Sequence, residues 1–248
     1  MIICADDFGL APDINSAIVN LLESGKLSAV SCMVPCAHCR PADLEPALAH
    51  RDSFDLGLHL VLIEHTPLSP PARIPTLLHN GRFPEFGVLW RRCLLGQVRL
   101  EEVEMELRAQ YESLTNLSGG QPPDSVDSHM HVHQFPGIRD VMVRFLAGLP
   151  EGRRPYVRNA YMPVKKIAAQ GVSFWKNVGI SRYGKAMWRL LRKNRIPTNA
   201  GFAGIYDYTR WPQYPDFLSR FLSHMESRNG ILMTHPGLAD SWRRSEYE

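Results

Sequence analysis

The opening stretch IICADDFGLAPDINSAIVNLLESG, residues 2–25, decides the fold that the sequence predicts. Residues 2–5 form a short apolar run that indicates a buried strand, and residues 12–25 repeat apolar side chains at helical spacing. Proline suits the first turn of that helix, and glycine suits its end. Asp6 and Asp7 lie between the two elements, although aspartate is a poor strand residue. The position of the two aspartates therefore needs an explanation from elsewhere in the chain.

The same alternation of strand and helix continues along the chain. Further apolar runs that predict strands lie at residues 27–34, 54–62, 124–129, 154–160, 199–206 and 230–235. Amphipathic patterns predict helices at residues 41–50, 100–114, 138–149 and 215–227, and one or two more precede residue 199. A long proline-rich loop covers residues 66–84. Short strands alternating with helices predict an α/β fold with a parallel sheet or barrel.

Size and composition favour one domain in the cytoplasm. The chain has 248 residues, of which 44% are hydrophobic, so one large core over residues 1–248 is expected. No apolar run approaches the ~20 residues that span a bilayer, and the N-terminus shows no signal-peptide pattern. We therefore expect a cytoplasmic protein whose five cysteines are thiols rather than disulfides.

The positive charge is concentrated in one part of the chain. Residues 152–206 contain no aspartate or glutamate and hold twelve of the 28 lysines and arginines. Trp175, Tyr183 and Trp188 are interleaved with these basic residues. Residues 153–195 could form a solvated face packed on the acidic remainder, or bind an anionic membrane surface. Nucleic acid is a less favoured partner.

Four polar clusters follow predicted strands. They are Asp6 with Asp7, His59, the run DSHMHVH at residues 127–133, and His235. Each cluster falls at the C-terminal end of its strand, which is the edge where α/β barrels build active sites. We therefore expect these side chains to meet at one site.

The residue types in these clusters suit a hydrolytic metal site. In a strand, His129, His131 and His133 would point to one face, and burying three imidazoles requires partners. One aspartate and two histidines can hold a metal while leaving a position for water, whose pKa falls towards ~7. A second carboxylate can accept a proton, and another histidine can donate one. One of Asp6 and Asp7 would then bind metal while the other acts as a base.

Simpler interpretations exist for each cluster. Adjacent aspartates often cap the following helix, and a single histidine such as His59 is often a core residue. The run CMVPCAHC at residues 32–39 resembles a structural zinc site, but four ligands would have to come from eight residues. We interpret its cysteines as small buried residues.

Four motifs carry a family resemblance. ADDFG, GLHL, DSHMHVHQFP and LMTHPG occur in the order found in the YdjC-like carbohydrate deacetylase family, which includes the chitooligosaccharide deacetylases. The resemblance runs from residue 1 to about residue 240. Residues 57–83 resemble the hopanoid-biosynthesis-associated branch in particular. The resemblance implies a distorted (β/α) barrel that hydrolyses the N-acetyl group of an acetylated amino sugar with one divalent metal ion.

The same resemblance assigns roles to individual residues. It implies that the metal ligands are Asp7, His59 and His129. It implies that the base, the acid and an arginine supporting the catalytic pair are Asp6, His235 and Arg158. The residues that would line the substrate cleft or orient ligands are His131 and His133. The metal would be magnesium or zinc, and two imidazole ligands favour zinc.

The sequence departs from the family pattern in three places. Met130 interrupts the histidine run, the basic stretch at residues 153–195 is unusually long, and the sequence ends at SWRRSEYE, residues 241–248. Family members usually continue through another helix, so we expect either an incompletely closed barrel or a partner that closes it. A homodimer is one option.

Other functions remain alternatives. The same barrel could carry another metal-dependent amidohydrolase or a phosphoesterase, although one Asp-His-His set argues against a two-metal phosphatase. A non-catalytic sugar- or lipid-binding protein would need neither Asp6 nor His235. A nucleic-acid-binding module would rest on the basic stretch alone.

Overall fold

The computed structural model describes residues 1–225 and 228–237, and its centre is one parallel sheet. The strands are β1 (Ile2–Phe8), β2 (Ala29–Cys32), β3 (Asp55–Leu60), β4 (Ser125–Ser128), β5 (Tyr156–Val157), β6 (Gly201–Ala203) and β7 (Gly230–Thr234). They lie in the order β5-β4-β3-β2-β1-β7-β6, and every neighbouring pair is parallel. The predicted α/β fold with a parallel sheet is therefore confirmed.

Helices connect successive strands, as parallel pairing requires. They are α1 (Pro12–Glu23), α2 (Pro41–Leu48), α3 (Phe86–Leu94), α4 (Leu100–Leu117), α5 (Ile138–Ala147), α6 (Val164–Gln170), α7 (Phe174–Lys193) and α8 (Tyr214–His224). The sequence patterns predicted these helices except α3, which directly follows the proline-rich loop. The last part of the helix predicted at residues 215–227 lies outside the described residues.

The sheet curls until β5 meets the segment that leads into β6. The amide of Val157 donates a hydrogen bond of 2.9 Å to the carbonyl of Pro197, and the Thr198 hydroxyl donates one of 2.7 Å to the carbonyl of Val157. This single bridge lies three residues before β6. The distorted (β/α) barrel is therefore confirmed, with the distortion located at short β5 and β6. The expectation of a missing C-terminal helix concerns residues 241–248, which lie outside the described residues.

The core lies between the sheet and the helices. Leu56, Leu58 and Leu60 of β3 are completely buried, as are Val30 of β2 and Val126 of β4. Burying each such side chain stabilises the fold by ~1.5–3 kcal/mol before entropy is counted. Because these central strands run parallel, their C-terminal ends lie at the same edge of the sheet.

The structure also bears on two other expectations, the state of the cysteines and the absence of a membrane-spanning helix. All five cysteines are buried free thiols, as predicted. Among the described residues, neither group of side chains that could hold a metal includes residues 32–39. Within the same residues, no helix combines the length and the apolar character that crossing a bilayer requires.

Candidate active site

An irregular end of β1 positions the two adjacent aspartates. The pairing register between β1 and β2 shifts after Ala5, and Asp7 adopts a φ of 66°. A positive φ is strained for a residue other than glycine and is often found at functional sites. The amide side chain of Asn15 accepts a 2.7 Å hydrogen bond from the Gly9 amide, which ties the turn to α1. Both Asp6 and Asp7 are buried at the edge of the sheet.

The three predicted metal ligands meet at this edge. Asp7 Oδ1 lies 3.3 Å from His59 Nε2 and 3.2 Å from His129 Nδ1. One ligand atom from each residue lies within 4.8 Å of the others. Burial favours the neutral carboxyl, but hydrogen bonds and charge from His129 and His59 hold the pKa of Asp7 well below its usual range. One carboxylate and two imidazoles are the donor types of a three-ligand hydrolytic site.

Asp127 orients His59 towards Asp7. The Nδ1–H of His59 donates to Asp127 Oδ1 at 2.6 Å, and the Ser31 hydroxyl donates to the same oxygen at 2.6 Å. Burial opposes the charged imidazole, but Asp127 and Asp6 raise the pKa of His59 to about 10. A carboxylate behind a ligating histidine fixes its tautomer and its direction. Sequence analysis placed Asp127 in the histidine run without a role and did not identify Ser31.

Arg158 bonds to both oxygens of Asp6. Its Nη1 and Nη2 donate to Asp6 Oδ1 and Oδ2 at 2.6 and 2.8 Å, and its Nε lies 3.2 Å from Asp127 Oδ2. Burial alone would raise the pKa of Asp127, but Arg158 and His59 hold it well below its usual range. The predicted position of Arg158 beside the catalytic pair agrees with this geometry. A second potential metal group, which adds Cys4 to Asp6 and Asp127, already receives the positive charge of Arg158.

The balance of charge also suits a divalent cation. The carboxylates of Asp6, Asp7 and Asp127 are buried around the single guanidinium of Arg158. When His59 is neutral, as a metal ligand must be, two negative charges remain, and a divalent ion beside Asp7 would neutralise them. The donor set and this charge deficit both fit a metal at the Asp7, His59 and His129 group.

His235 borders both aspartates from the end of β7. Its Nε2 lies 4.0 Å from Asp6 Oδ2 and 4.0 Å from Asp7 Oδ2. Burial lowers the pKa of His235, although the charges of Asp7 and Asp6 oppose that shift. The predicted base and the predicted acid are therefore neighbours across the opening of the site.

The histidine run does not continue β4, so the predicted alternation along a strand is wrong. The strand ends at Ser128, and residues 129–134 form a 3-10 turn in which Met130 and His131 have φ values of 52° and 58°. Left-handed backbone at these two positions turns the chain away from the sheet. The turn leaves His129 beside Asp7 and moves the next histidines to other surroundings.

His133 supports Arg158 from inside the protein. Its Nε2–H donates to the Arg158 carbonyl at 2.9 Å, and its Nδ1 accepts from the Ser128 hydroxyl at 2.7 Å. The side chain is completely buried, and this burial lowers the pKa of His133 to about 4. The predicted roles of His133, lining the cleft or orienting metal ligands, stay predictions, because its hydrogen bonds go to Arg158 and Ser128.

His131 is a buried residue at the wall of a cavity. Its ring packs edge-on against Phe202 at 5.6 Å between centroids, and burial followed by the charge of Arg158 lowers its pKa well below the ordinary value. The cavity has a volume of about 400 Å³ and lies between α3, the 129–134 turn and α7. Its lining includes Phe86, Trp90, His131, Phe135, Trp175 and Tyr183. Sequence analysis did not predict this cavity, because it did not predict α3.

His65 is a further neighbour of the site that sequence analysis missed. Its ring centroid lies 6.4 Å from that of His129, and its Nδ1 lies 3.7 Å from Cys36 Sγ. The residue follows the GLHL motif on the loop after β3, and this position was the only available signal. His65 does not belong to the group of converging ligand atoms.

Curated relatives share the sequence pattern. The chain is 36% identical to a chitooligosaccharide deacetylase of Proteus mirabilis (strain HI4320) over 146 residues, covering 58% of this chain and 54% of that protein. It is 34% identical to a carbohydrate deacetylase of Danio rerio over 148 residues, covering 59% and 46%. These matches span about half the length of the two relatives.

A longer match extends across the whole chain. A chitooligosaccharide deacetylase of Escherichia fergusonii is 30% identical over 253 residues, covering 100% of this chain and 85% of that protein. A solved structure from Enterococcus faecalis V583, described as a cellobiose-phosphate cleavage protein, superposes with a TM-score of 0.74. It is 21% identical and covers 99% of this chain and 85% of the other, so it shows a shared fold.

The family assignment rests on these matches together. The model of the family described as YdjC-like protein matches residues 1–248, so every motif and every converging side chain described above lies inside the match. The resemblance to the hopanoid-biosynthesis-associated branch stays a prediction. The chain belongs to the YdjC-like family.

Proposed function

We propose that residues 1–248 form one catalytic domain, a metal-dependent deacetylase that removes the N-acetyl group of an acetylated amino sugar. The observation that carries this proposal is the convergence of Asp7, His59 and His129 beside Asp6, whose carboxylate Arg158 holds at both oxygens. The relatives described as chitooligosaccharide or carbohydrate deacetylases support the same chemistry. The products are acetate and a free amino sugar.

The protein supplies three ligand atoms for one divalent ion. Asp7, His59 and His129 would hold it, and their two imidazoles favour zinc over magnesium. When bound, such an ion polarises an amide carbonyl and lowers the pKa of a water molecule. Asp127 contributes by keeping His59 directed at Asp7.

Asp6 acts as the general base. It accepts a proton from the water whose oxygen forms a new bond to the acetamide carbon. Both Asp6 oxygens are fixed by Arg158, so the carboxylate cannot rotate away from this position. Because the orientation of the base is fixed before the reaction, no conformational entropy of its side chain is lost when the proton is transferred.

His235 completes the proton path. As the bond between the acetamide carbon and nitrogen breaks, the nitrogen must receive a proton to leave as an amine. His235 Nε2 lies 4.0 Å from Asp6 Oδ2, close enough for the proton taken by Asp6 to be passed on with a small movement. His235 then donates that proton to the departing nitrogen.

A sugar that carries an apolar group is a second candidate substrate. The aromatic cavity of about 400 Å³ adjoins the same 129–134 turn that places His129 at the site. Aromatic walls bind apolar chains and the faces of sugar rings alike. A lipid-linked N-acetylglucosamine is such a sugar, and a cytoplasmic enzyme would meet it at the inner face of the membrane.

Acetate release tests the proposal directly. The substrates are N-acetylglucosamine, chitobiose and an N-acetylglucosaminyl lipid, each incubated with EDTA, with zinc or with magnesium. We expect acetate from at least one sugar, abolished by EDTA and restored by metal. Substrate binding without any release, with metal bound, would favour a non-catalytic sugar-binding protein instead. Release from a phosphate ester or an unrelated amide alone would favour the other hydrolases.

A further inference from the structure

Two helices, α3 and α7, form one surface at the mouth of the aromatic cavity. Trp90 of α3 donates a 2.8 Å hydrogen bond from its indole nitrogen to the Tyr183 hydroxyl of α7. Both side chains line the cavity, together with Trp175 of α7. We call the exposed side chains that these two helices present around the cavity mouth the α3–α7 face.

This face exposes large apolar side chains. Trp175 is 80% exposed, Leu95 is 63% exposed and Leu94 is 49% exposed. Leu94 lies one helical turn after Trp90, which is itself partly exposed, so the two share a side of α3. Clustered exposed apolar residues are uncommon on a protein that contacts only water and indicate an interaction surface.

The charged residues of the two helices that form the α3–α7 face are all basic. Trp175, Arg182, Arg189 and Lys193 follow each other at helical spacing along one exposed side of α7. Arg91 adds an exposed cation on α3. Neither helix contains an aspartate or a glutamate. Apolar and cationic side chains therefore alternate without acidic groups between them.

We propose that the α3–α7 face docks on an anionic lipid bilayer. Tryptophan and leucine can enter the boundary between headgroups and acyl chains while neighbouring arginines and lysines contact lipid phosphates. Nucleic acid fits this face less well, because Leu94 and Leu95 offer neither stacking nor hydrogen bonds to bases. Docking of this kind does not depend on the deacetylase activity.

The face differs from the stretch that the charge pattern alone suggested. Within residues 153–195, Arg158 is buried in the active site and cannot contact a membrane. Lys165 lies on α6, outside the α3–α7 face. The exposed leucines are the last residue of α3, Leu94, and the next residue, Leu95, and they precede the basic stretch by about sixty residues. The sequence pattern therefore predicted the basic residues of this surface but not its exposed leucines.

Vesicle co-sedimentation with the full chain tests the docking. Vesicles of phosphatidylcholine alone are compared with vesicles that also contain phosphatidylglycerol, at low and at high salt. We expect pelleting only with phosphatidylglycerol and weaker pelleting at high salt. The Leu94→Ser/Leu95→Ser and Arg182→Glu/Arg189→Glu double variants should each weaken binding at least about tenfold.

A matched variant on another helix controls for surface change in general. Val164→Ser/Lys165→Glu alters one exposed apolar and one exposed basic residue of α6 and should bind vesicles like the unaltered protein. Thermal melting of every variant separates lost docking from lost folding. No pelleting at low salt, equal weakening by the α6 variant, or binding only to single-stranded DNA would overturn the proposal.

Fluorescence gives an independent measurement. Brominated phosphatidylglycerol vesicles should quench part of the tryptophan emission, and Trp175→Phe should remove most of that quenching because Trp175 is the most exposed large apolar residue described. Quenching that is unchanged in Trp175→Phe would place the contact elsewhere and contradict the proposed face.

Discussion

Asp6 and Arg158 form a bidentate ion pair that crosses the interior of the barrel. Asp6 lies in β1 and Arg158 directly follows β5, and three strands separate β1 from β5 in the sheet. Both side chains are 1% exposed, and the two oxygen–nitrogen distances are 2.6 and 2.8 Å. A buried ion pair is tolerated only with such geometry, because desolvation costs several kcal/mol per ion. The curl of the sheet is therefore what brings the proposed base to its partner.

Replacing Asp6 by asparagine should remove the base and keep the metal. The amide has nearly the same shape as the carboxylate but cannot accept the proton, so turnover should fall by about 10²–10⁴-fold. The proposed ligand atoms belong to Asp7, His59 and His129, so metal content should not change. Acetate release and elemental analysis of the same sample check both statements. A variant with near-normal turnover would show that another group is the base.

Arg158→Lys should separate charge from geometry. Lysine keeps the positive charge but cannot bond to both Asp6 oxygens as the planar guanidinium does. We expect lower kcat and a loss of about 1–3 kcal/mol in the free energy of unfolding, because buried polar atoms lose partners. Arg189→Lys, at an exposed position of α7, is the control and should change neither quantity. Unchanged kcat in Arg158→Lys would mean that the orientation of Asp6 does not limit the reaction.

Sequence patterns predicted the site better than its surroundings. Asp6, Asp7, His59 and His235 were placed correctly, because ends of parallel strands share one edge whatever the details of packing. The position of His129 was also predicted, but the geometry of the run that follows it was not. Met130 and His131 have positive φ values. The alternation of histidines in the sequence resembles that of a strand and does not reveal this backbone conformation.

Each feature that sequence analysis missed has its own physical cause. The helix α3 has only nine residues and directly follows the proline-rich loop, so sequence analysis did not predict the helix or the cavity beside it. Asp127 and Ser31 act through another residue, and such support depends on strand pairing rather than on local sequence. Strands β5 and β6 were predicted within residues 154–160 and 199–206, but they have only two and three residues, so the predicted bounds were too long.

Metal content should depend on His59 and not on His65. His59→Ala removes one of three converging ligand atoms, so we expect loss of most bound metal after dialysis. His65→Ala removes an imidazole 6.4 Å from His129 that lies outside this group, and it should retain metal. Elemental analysis of both purified variants makes the comparison. Equal metal loss from the two would place the ion nearer the loop than we propose.

Asp127→Asn should weaken metal binding without abolishing it. Asp127 holds the Nδ1–H of His59 at 2.6 Å and so directs Nε2 towards Asp7. Removing a carboxylate that orients a ligand typically lowers metal affinity by about 10–100-fold. Competition with a chelator of known affinity measures the change in Kd. An unchanged Kd would mean that packing alone orients His59.

Protonation of His133 should make the metal-free protein less stable in acid. Its pKa is lowered to about 4 by burial, whereas an exposed histidine has an ordinary value of 6.5. Below pH 6.5 the unfolded chain therefore binds a proton that the native protein does not bind until about pH 4. Stability is complete above this window and falls as pH drops through it, by up to about 3 kcal/mol.

His133→Gln isolates this contribution. Glutamine can still donate to the Arg158 carbonyl and accept from Ser128, but it does not titrate. Urea unfolding in EDTA between pH 6.5 and pH 4 should show a shallower loss of stability in the variant. Some slope should remain, because burial also lowers the pKa of His131. Because His59 is protonated both in the native protein and in the unfolded chain over most of this range, it adds little slope. Identical pH dependence in the two proteins would show that His133 is protonated as easily inside the barrel as in water.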